Sequence, residues 1–215
     1  MNSRQPGSLE FLVLSASRRA DSLNTKLAGL AAARIAQAGA KVELTTIKEF
    51  DVPAYDRDEE LAEGMPAGAE RFIEKLQGAQ ALVLVSPEYN ASMPGLLKNL
   101  IDWVSRRRPQ PFNTLQTLLM SASPSMAGGN RGLWATRVPL EHLGARVYPE
   151  MFSLAQAHTA FDAAGLIADA TLQERFDGNL ANFTQLAEAA VHYPCAKKVW
   201  VEYLGERAEF ADDEG

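Results

Sequence analysis

Residues 86–103 of this chain, SPEYNASMPGLLKNLIDW, combine polar side chains in a way that suits the binding of a flat ligand. They follow the apolar run 81–85, and their second half has the apolar spacing of a helix. A strand, a polar turn and a helix in this order form a ligand-binding corner in α/β proteins. The turn offers a proline, an aromatic ring, an amide, two hydroxyls and free backbone groups. This set suits a ring with polar edges, such as a flavin, better than a metal ion or a nucleophile.

Another polar loop, residues 15–24 (SASRRADSLN), joins a strand pattern to a helix pattern and is the first such loop in the chain, so that the turn within residues 86–103 is the second. The free N–H groups and the dipole at a helix N-terminus attract anions, and the arginines and hydroxyls add side-chain donors. This loop predicts a phosphate site. The alternative is a capped helix start, with Ser22 or Asp21 as the N-cap and with solvated arginines. The loop contains neither a Walker sequence nor a G-x-G-x-x-G dinucleotide fingerprint.

A third loop, residues 121–132 (SASPSMAGGNRG), follows another strand pattern. Its small side chains and adjacent glycines allow the backbone to approach a ligand closely. A Gly-Gly pair alone is weak evidence. Three permissive polar loops that follow strands 1, 3 and 4 of one sheet, however, indicate a common site.

Candidates for acid–base, nucleophilic or metal chemistry are poor. His142, His158 and His192 lie far apart in the sequence and adjoin none of the three loops, so we interpret each as structural or at the surface. Glu88 has no second carboxylate beside it, which favours a role in holding its loop or an interface over catalysis. Cys195 is the only cysteine, which excludes a multi-cysteine metal site. We expect no catalytic side chain and no metal, and chemistry that a cofactor supplies.

The composition is that of one soluble globular domain. A chain of 215 residues, 47% of them hydrophobic, can bury a sizeable core. The net charge of −6 disfavours a general nucleic-acid-binding role. No run approaches the roughly 20 apolar residues of a membrane span, and the N-terminal residues lack the apolar core of a signal peptide. These features predict a cytoplasmic protein with neither nucleic acid nor membrane as a partner.

Strand patterns alternate with helix patterns along the chain. Strands are predicted over residues 9–14, 41–47, 81–85, 115–120 and 145–148, and helices over 22–38, 67–76, 94–106, 130–143 and 171–191. Residues 50–66 are predicted as a long loop. The alternation predicts an α/β, flavodoxin-like fold, with a doubly wound five-stranded parallel sheet in the order 2-1-3-4-5 and helices on both faces. In that order the loops after strands 1 and 3 flank the switch point, where ligands bind.

The loop sequences resemble those of the NADPH-dependent FMN reductase family, flavodoxin-like flavoenzymes that include quinone, chromate and azo-dye reductases. The family pattern G-S-x-R-x-x-S-x-N matches residues 16–24 in spacing, with Ala16 where a glycine is usual. The pattern P-E-Y-N-x-S-x-P-G-x-L-K-N-x-I-D-W matches residues 87–103 at nearly every fixed position. The Gly-Gly loop is similar to the third flavin loop of the family. The resemblance covers roughly residues 9–191.

The resemblance implies which residues hold FMN. Those expected at its phosphate are Ser17, Arg18, Arg19, Ser22 and Asn24, with the choice between the two arginines open. Those expected along the ribityl chain and the ring are Pro87, Glu88, Tyr89, Asn90 and Ser92. Those expected at the polar edge of the ring are Ser123, Gly128 and Gly129. The resemblance also implies a homodimer or homotetramer, with interface candidates Glu88, Asp102, Trp103 and Arg106.

The implied activity is that of an FMN-dependent NAD(P)H oxidoreductase. Hydride would pass from NADPH or NADH through bound FMN to a small acceptor in a ping-pong cycle. Quinones, azo compounds, metal oxyanions and free flavin remain open as acceptors. The arginine run 106–108 is a candidate for contact with the 2′-phosphate of NADPH, and a solvated loop or an interface is the alternative.

Two other functions fit the same loops. One is a reductase that uses FMN as a dissociable substrate. The other is a flavodoxin-like electron carrier or a flavin-binding regulator without NAD(P)H turnover.

The FMN-binding reductase domain is expected over residues 1–192. Residues 193–215 lie beyond the usual family end and are predicted as a C-terminal extension that is not a separate domain. Three roles stay open for this extension, which carries the alternating run VWVEYL and an acidic end. It could cover a sheet edge, reach across a dimer, or be partly disordered.

Overall fold

The computed structural model describes residues 9–192, so the predicted C-terminal extension lies outside the described residues. Its centre is a parallel sheet in the order β2-β1-β3-β4-β5, and a further segment, β6, also pairs with β4. The strands are β1 Glu10–Ser15, β2 Lys41–Thr46, β3 Ala81–Val85, β4 Gln116–Ala122, β5 Arg146–Val147 and β6 Phe152–Leu154. The predicted flavodoxin-like fold and strand order are confirmed.

Helices cover both faces of the sheet, as predicted. In the described part of the chain they are α1 Leu23–Gln37, α2 Arg57–Glu63, α3 Ala67–Gly78, α4 Gly95–Val104, α5 Asn130–His142 and α6 Ala170–His192. A short 3₁₀ turn, Ile47–Phe50, follows β2. None of the described helices has the length and apolar character needed to cross a bilayer.

Strand β1 is buried on both faces because its alternate side chains enter two different cores. Phe11 and Val13 pack in the core beneath α1 and α6. Leu12 and Leu14 pack in the core beneath α3, α4 and α5. Continuous apolar strands of this kind are typical of a parallel sheet between two helix layers.

Residues 50–66 are not a simple loop, so that prediction was wrong. They contain α2, whose N-cap Asp56 accepts hydrogen bonds from the backbone N–H groups of Asp58 at 2.7 Å and Glu59 at 3.3 Å. No residue of α2 is buried. The helix therefore has no apolar stripe for a periodicity argument to detect, and its N-cap is the one local signal.

The fifth strand position is occupied by two short segments in place of one strand. β5 pairs with the start of β4, and β6 pairs with its end. Between them Pro149 has no N–H group to donate to a sheet ladder. The sheet thus keeps the predicted order, while its outer edge is interrupted.

Candidate functional site

The three polar loops lie side by side at the carboxyl edge of the sheet. They follow β1, β3 and β4, which are neighbours in the order of strands. Backbone pairing continues from the strands into the loops, since Ala16 N–H donates to Val85 O at 2.8 Å and Ser86 N–H donates to Met120 O at 2.9 Å. The expectation that these loops form one surface is met.

The first loop, residues 16–22, ends in a capped helix. The hydroxyl of Ser22 accepts hydrogen bonds from the N–H groups of Asn24 at 3.2 Å and Thr25 at 3.4 Å. Ser22, and not Asp21, is therefore the N-cap of α1. Ser17 and Ser22 are both buried. The cap keeps the N-terminus of α1 at the sheet edge, where its dipole favours an anion.

Two guanidinium groups lie on the first loop, and each is held by an exposed carboxylate. Arg18 Nη1 is 3.3 Å from Asp51 Oδ1, and Arg19 Nη2 is 3.2 Å from Asp21 Oδ1. The side chains of Arg18 and Arg19 are 59% and 70% exposed. The hydrogen bond from Arg19 holds the pKa of Asp21 below its ordinary value. Exposed ion pairs of this kind are weak, so either arginine can turn to a phosphate.

Asn24 contacts a strand in addition to its own loop. Its amide Nδ2 donates to Ala122 O at 2.9 Å, and its Oδ1 accepts from Ala122 N–H at 2.9 Å. The side chain is buried. Asn24 therefore ties the start of α1 to the end of β4, a contact that its place in the loop pattern does not reveal.

The second loop forms a tight hairpin. Tyr89 and Ser92 exchange two backbone hydrogen bonds, at 2.8 and 3.0 Å. The two residues between them have left-handed backbone conformations, with φ of 52° at Asn90 and 62° at Ala91. Two consecutive left-handed residues are the signature of a type I′ turn. The hairpin leaves Tyr89 48% exposed at the sheet edge.

Glu88 connects the second loop to the third. Its Oε2 accepts a hydrogen bond from Gly132 N–H at 3.0 Å, and its Oε1 lies 3.2 Å from Arg131 Nε. These contacts match the loop-holding role that the sequence suggested for Glu88. Arg131 and Gly132 were not among the predicted site residues.

The adjacent glycines of the third loop pack against protein. A Cβ at Gly128 would lie 2.9 Å from Ala155 N, and a Cβ at Gly129 would lie 2.0 Å from Ser121 Oγ. Both glycines also have positive φ, 62° and 88°. The lack of side chains at these glycines therefore lets the third loop pack on the ends of β4 and β6, and the predicted approach of their backbone to a ligand stays a prediction.

Two serines near the start of the third loop, one of them at the end of β4, differ in their contacts. Ser123 Oγ accepts a hydrogen bond from Ser125 N–H at 3.2 Å and so shapes the loop. Ser121 Oγ is buried and has no hydrogen-bond partner within residues 9–192.

Residues 53–55, which follow β2, border the same edge, and two side chains of the 87–103 motif bind them. Asn99 accepts a hydrogen bond from Tyr55 N–H at 2.8 Å and donates one to Pro53 O at 2.7 Å. Trp103 Nε1 also donates to Pro53 O, at 2.9 Å, and its indole stacks edge-on to Tyr55. Trp103 is only 1% exposed. Its proposed role at a subunit interface is therefore wrong, because the side chain is already buried within its own chain.

The arginine side chains that follow α4 already have partners within this chain. Arg106 pairs with Glu60, and Arg107 pairs with Glu70. Arg108 donates to the carbonyl oxygens of Ser105 at 2.7 Å and Arg107 at 3.0 Å. The run follows the C-terminus of α4. Its contact with the 2′-phosphate of NADPH stays a prediction, as does the alternative of a solvated loop or an interface.

Three grooves lie outside the loop cluster. The first, about 370 Å³, is lined by the amino ends of β1 and β2 and the end of α3. The second, about 620 Å³, lies between α1 and residues 161–166. The third, about 430 Å³, borders α5 and α6 and touches the third loop only at Asn130. None of them brings together the arginines, hydroxyls and hairpin of the first two loops.

Histidine and acidic side chains do not add chemistry to the site. His142 and His158 are exposed and lie outside the three loops. Over residues 9–192 no group of three or more histidine, cysteine, aspartate or glutamate side chains could hold a metal ion.

The donor set of the loop cluster fits FMN. Two guanidiniums and a helix N-terminus at the first loop match a phosphate in charge and in hydrogen bonding. The exposed ring of Tyr89 and the backbone groups of its hairpin match a flat ring with polar edges. Phosphate donors and an aromatic surface on neighbouring loops are what a flavin mononucleotide requires.

Comparison with known proteins agrees with this chemistry. The family model described as NADPH-dependent FMN reductase matches residues 9–159. A Pseudomonas aeruginosa protein, NAD(P)H-dependent FMN reductase PA1204, is 36% identical over 168 residues, which cover 77% of this chain and 88% of that protein. The quinone reductase of Escherichia coli is 32% identical over 184 residues, which cover 84% of this chain and 96% of that protein.

A solved structure extends the similarity to three dimensions. FerB, a flavoenzyme NAD(P)H:(acceptor) oxidoreductase from Paracoccus denitrificans, superposes with a TM-score of 0.73 at 27% identity. The superposition covers 84% of this chain and 98% of FerB.

Proposed function

This chain belongs to the NADPH-dependent FMN reductase family, and from that premise we propose that it is an NAD(P)H oxidoreductase of the quinone reductase type, with a ping-pong cycle on bound FMN. The observation that carries the proposal is the contiguity of the loops after β1, β3 and β4. Phosphate donors lie on the first loop, and an exposed aromatic hairpin lies on its neighbour.

The proposed FMN contacts follow the positions of the loops. Ser17, Arg18, Arg19 and Ser22 would hold the phosphate, with Asn24 fixing the loop that carries them. The 87–92 hairpin, through Pro87, Tyr89, Asn90 and Ser92, would border the ribityl chain and the ring, with Glu88 holding the hairpin to the third loop. Ser123, Gly128 and Gly129 would present backbone at the polar edge of the ring.

The chemistry that FMN supplies when bound is hydride acceptance from NAD(P)H and delivery to the acceptor. The side chains of this chain would bind FMN and orient it. The arginines compensate the phosphate charge, and the capped α1 N-terminus adds a favourable dipole. Backbone N–H groups of the second and third loops would stabilise negative charge that develops at the ring. The proton that completes the reduction of a quinone to a hydroquinone would come from solvent, so the scheme calls on no protein acid or base.

The acceptor is proposed to be a small molecule, and quinones come first because one of the relatives is the quinone reductase of Escherichia coli. Azo compounds, metal oxyanions and free flavin are the other candidate acceptors. NADPH and NADH are both candidate electron donors. We place the activity in the cytoplasm, where those donors are made.

We also propose a homodimer or homotetramer. Its support is the exposed apolar pair Trp134 and Val138, which are 55% and 68% exposed and lie one turn apart on α5. Apolar side chains grouped on one helix face mark association surfaces.

The test is the visible absorption spectrum of the purified protein, before and after NADPH is added without oxygen. A flavin spectrum that bleaches within seconds and returns on addition of a quinone is the expected result. A bound flavin that NADPH and NADH both fail to bleach would favour an electron carrier. FMN that binds only during turnover would favour the dissociable-substrate reductase, and no binding at all would refute the site.

A further inference from the structure

Glu88 makes contacts that reach beyond its own loop. Its side chain is only 11% exposed. One carboxylate oxygen accepts the Gly132 N–H bond at 3.0 Å, and the other lies 3.2 Å from Arg131 Nε. Both partners belong to the first turn of α5.

The backbone around this carboxylate is closely packed. A Cβ at Gly132 would lie 3.0 Å from Glu88 Cβ and 3.2 Å from Ser92 O. A Cβ at Gly129 would lie 3.7 Å from Glu88 Cβ. Gly129 and Gly132 are three residues apart and so lie on the same side of the helix start. The absence of side chains at these two positions lets α5 sit directly on the hairpin.

We infer that Glu88 is a positioning residue, whose carboxylate clasps the start of α5 to the hairpin and so fixes the spacing of the second and third FMN loops. The first N–H groups of a helix have no partner within the helix. A carboxylate at that end gains a charge-assisted hydrogen bond and a favourable interaction with the dipole. The same carboxylate compensates the charge of Arg131.

This inference rests on the proposed function, because the loops matter together only if one ligand contacts both. FMN can contact the hairpin and the Gly-Gly loop together when the distance between the two loops is kept. Loss of the clasp should therefore weaken FMN binding more than it weakens the fold.

The test compares Glu88→Ala, Glu88→Gln and Arg131→Ala as apo-proteins titrated with FMN, with quenching of flavin fluorescence as the readout. We expect Glu88→Ala to raise the Kd of FMN about tenfold or more, since a buried N–H loses its charged acceptor. Glu88→Gln keeps an oxygen for the Gly132 N–H and should stay within about threefold of wild type. Arg131→Ala should also have a small effect, because the arginine is 66% exposed.

Hydrogen–deuterium exchange of residues 128–133 in the apo-proteins is the second readout. Exchange should be faster in Glu88→Ala and close to wild type in Glu88→Gln. Unchanged exchange in Glu88→Ala, or faster exchange with an unchanged Kd, overturns the inference. If Glu88→Ala does not fold, Gly132→Ala replaces it, and an unchanged Kd in that variant is the refuting result.

The outcome for the wild-type protein separates the two proposals. Wild-type protein that binds no FMN refutes the proposed function. In that case faster exchange in Glu88→Ala still supports the clasp, and unchanged exchange refutes it.

Discussion

At the scale of single residues, Ala91 is in a conformation that its side chain disfavours. Its φ of 62° is left-handed, as is that of Asn90 before it. Asparagine tolerates this region, whereas alanine pays roughly 1 kcal/mol for it relative to glycine.

We predict that Ala91→Gly stabilises the protein by about 0.5–1 kcal/mol, because removing the Cβ relieves this strain. The measurement is the free energy of unfolding in urea. Ala33→Gly is the matched control, since Ala33 is an exposed residue within α1 and glycine there should cost about 1 kcal/mol. An equal loss of unfolding free energy in Ala91→Gly and Ala33→Gly would contradict the prediction.

The two arginines of the first loop should differ in their effect on FMN. Arg19 bonds within its own loop, whereas Arg18 reaches Asp51 after β2. We predict that Arg19→Ala raises the Kd of FMN about tenfold through loss of a charge-assisted contact, and that Arg18→Ala raises it less. Titration of the two apo-proteins with FMN measures both values. A Kd for Arg19→Ala equal to that of wild type would refute the phosphate assignment.

At the scale of elements, the segment beside the site is fastened to α4 through Glu60. Glu60 accepts hydrogen bonds from Arg57 Nη1 at 2.8 Å, from Tyr55 Oη at 2.8 Å and from Arg106 Nε at 3.1 Å. The Arg57 bond, followed by those of Tyr55 and Arg106, lowers the pKa of Glu60 from 4.5 to about 2.

A carboxylate with a lowered pKa stabilises the fold above its unfolded value and loses that contribution as the pH falls through the folded one. We therefore predict that the Tyr55–Trp103 contact weakens between pH 4.5 and about 2. Near-ultraviolet circular dichroism over this range measures it. Glu60→Gln should flatten the change, and Glu59→Gln, at an exposed neighbour, should leave it as in wild type. A wild-type profile in Glu60→Gln would contradict the prediction.

The strand–helix alternation was predictable because it rests on apolar runs that are themselves the core. The role of the motif at residues 87–103 was partly predictable. Its length identified the hairpin loop, but the partners of Asn99 and Trp103 lie near residues 53–55, which carry no pattern of their own. Asn24 shows the same limit, because its partner Ala122 is 98 residues away and offers only backbone atoms. Contacts between a side chain and a distant backbone leave no signal in a single sequence.

At the scale of the whole molecule, we predict that the protein sediments as a dimer or tetramer of its 23.4 kDa chain. Val138→Glu should lower the mass, because a charge at an apolar interface resists desolvation. Leu61→Glu, at an exposed residue of α2, is the control and should leave it unchanged. Analytical ultracentrifugation measures both. A monomeric wild-type protein would refute the assembly. An unchanged mass of the Val138→Glu variant would mean that the interface does not include this face of α5.

The interruption between β5 and β6 has a consequence for solubility at high concentration. An uninterrupted outer strand would offer a row of unpaired backbone groups to which a strand of another molecule could add. Here β5 spans two residues and β6 three, with Pro149 between them. A strand from another molecule would find no continuous ladder along this edge. The break therefore disfavours the addition of a strand from another molecule along this edge, and with it amyloid-like growth from there.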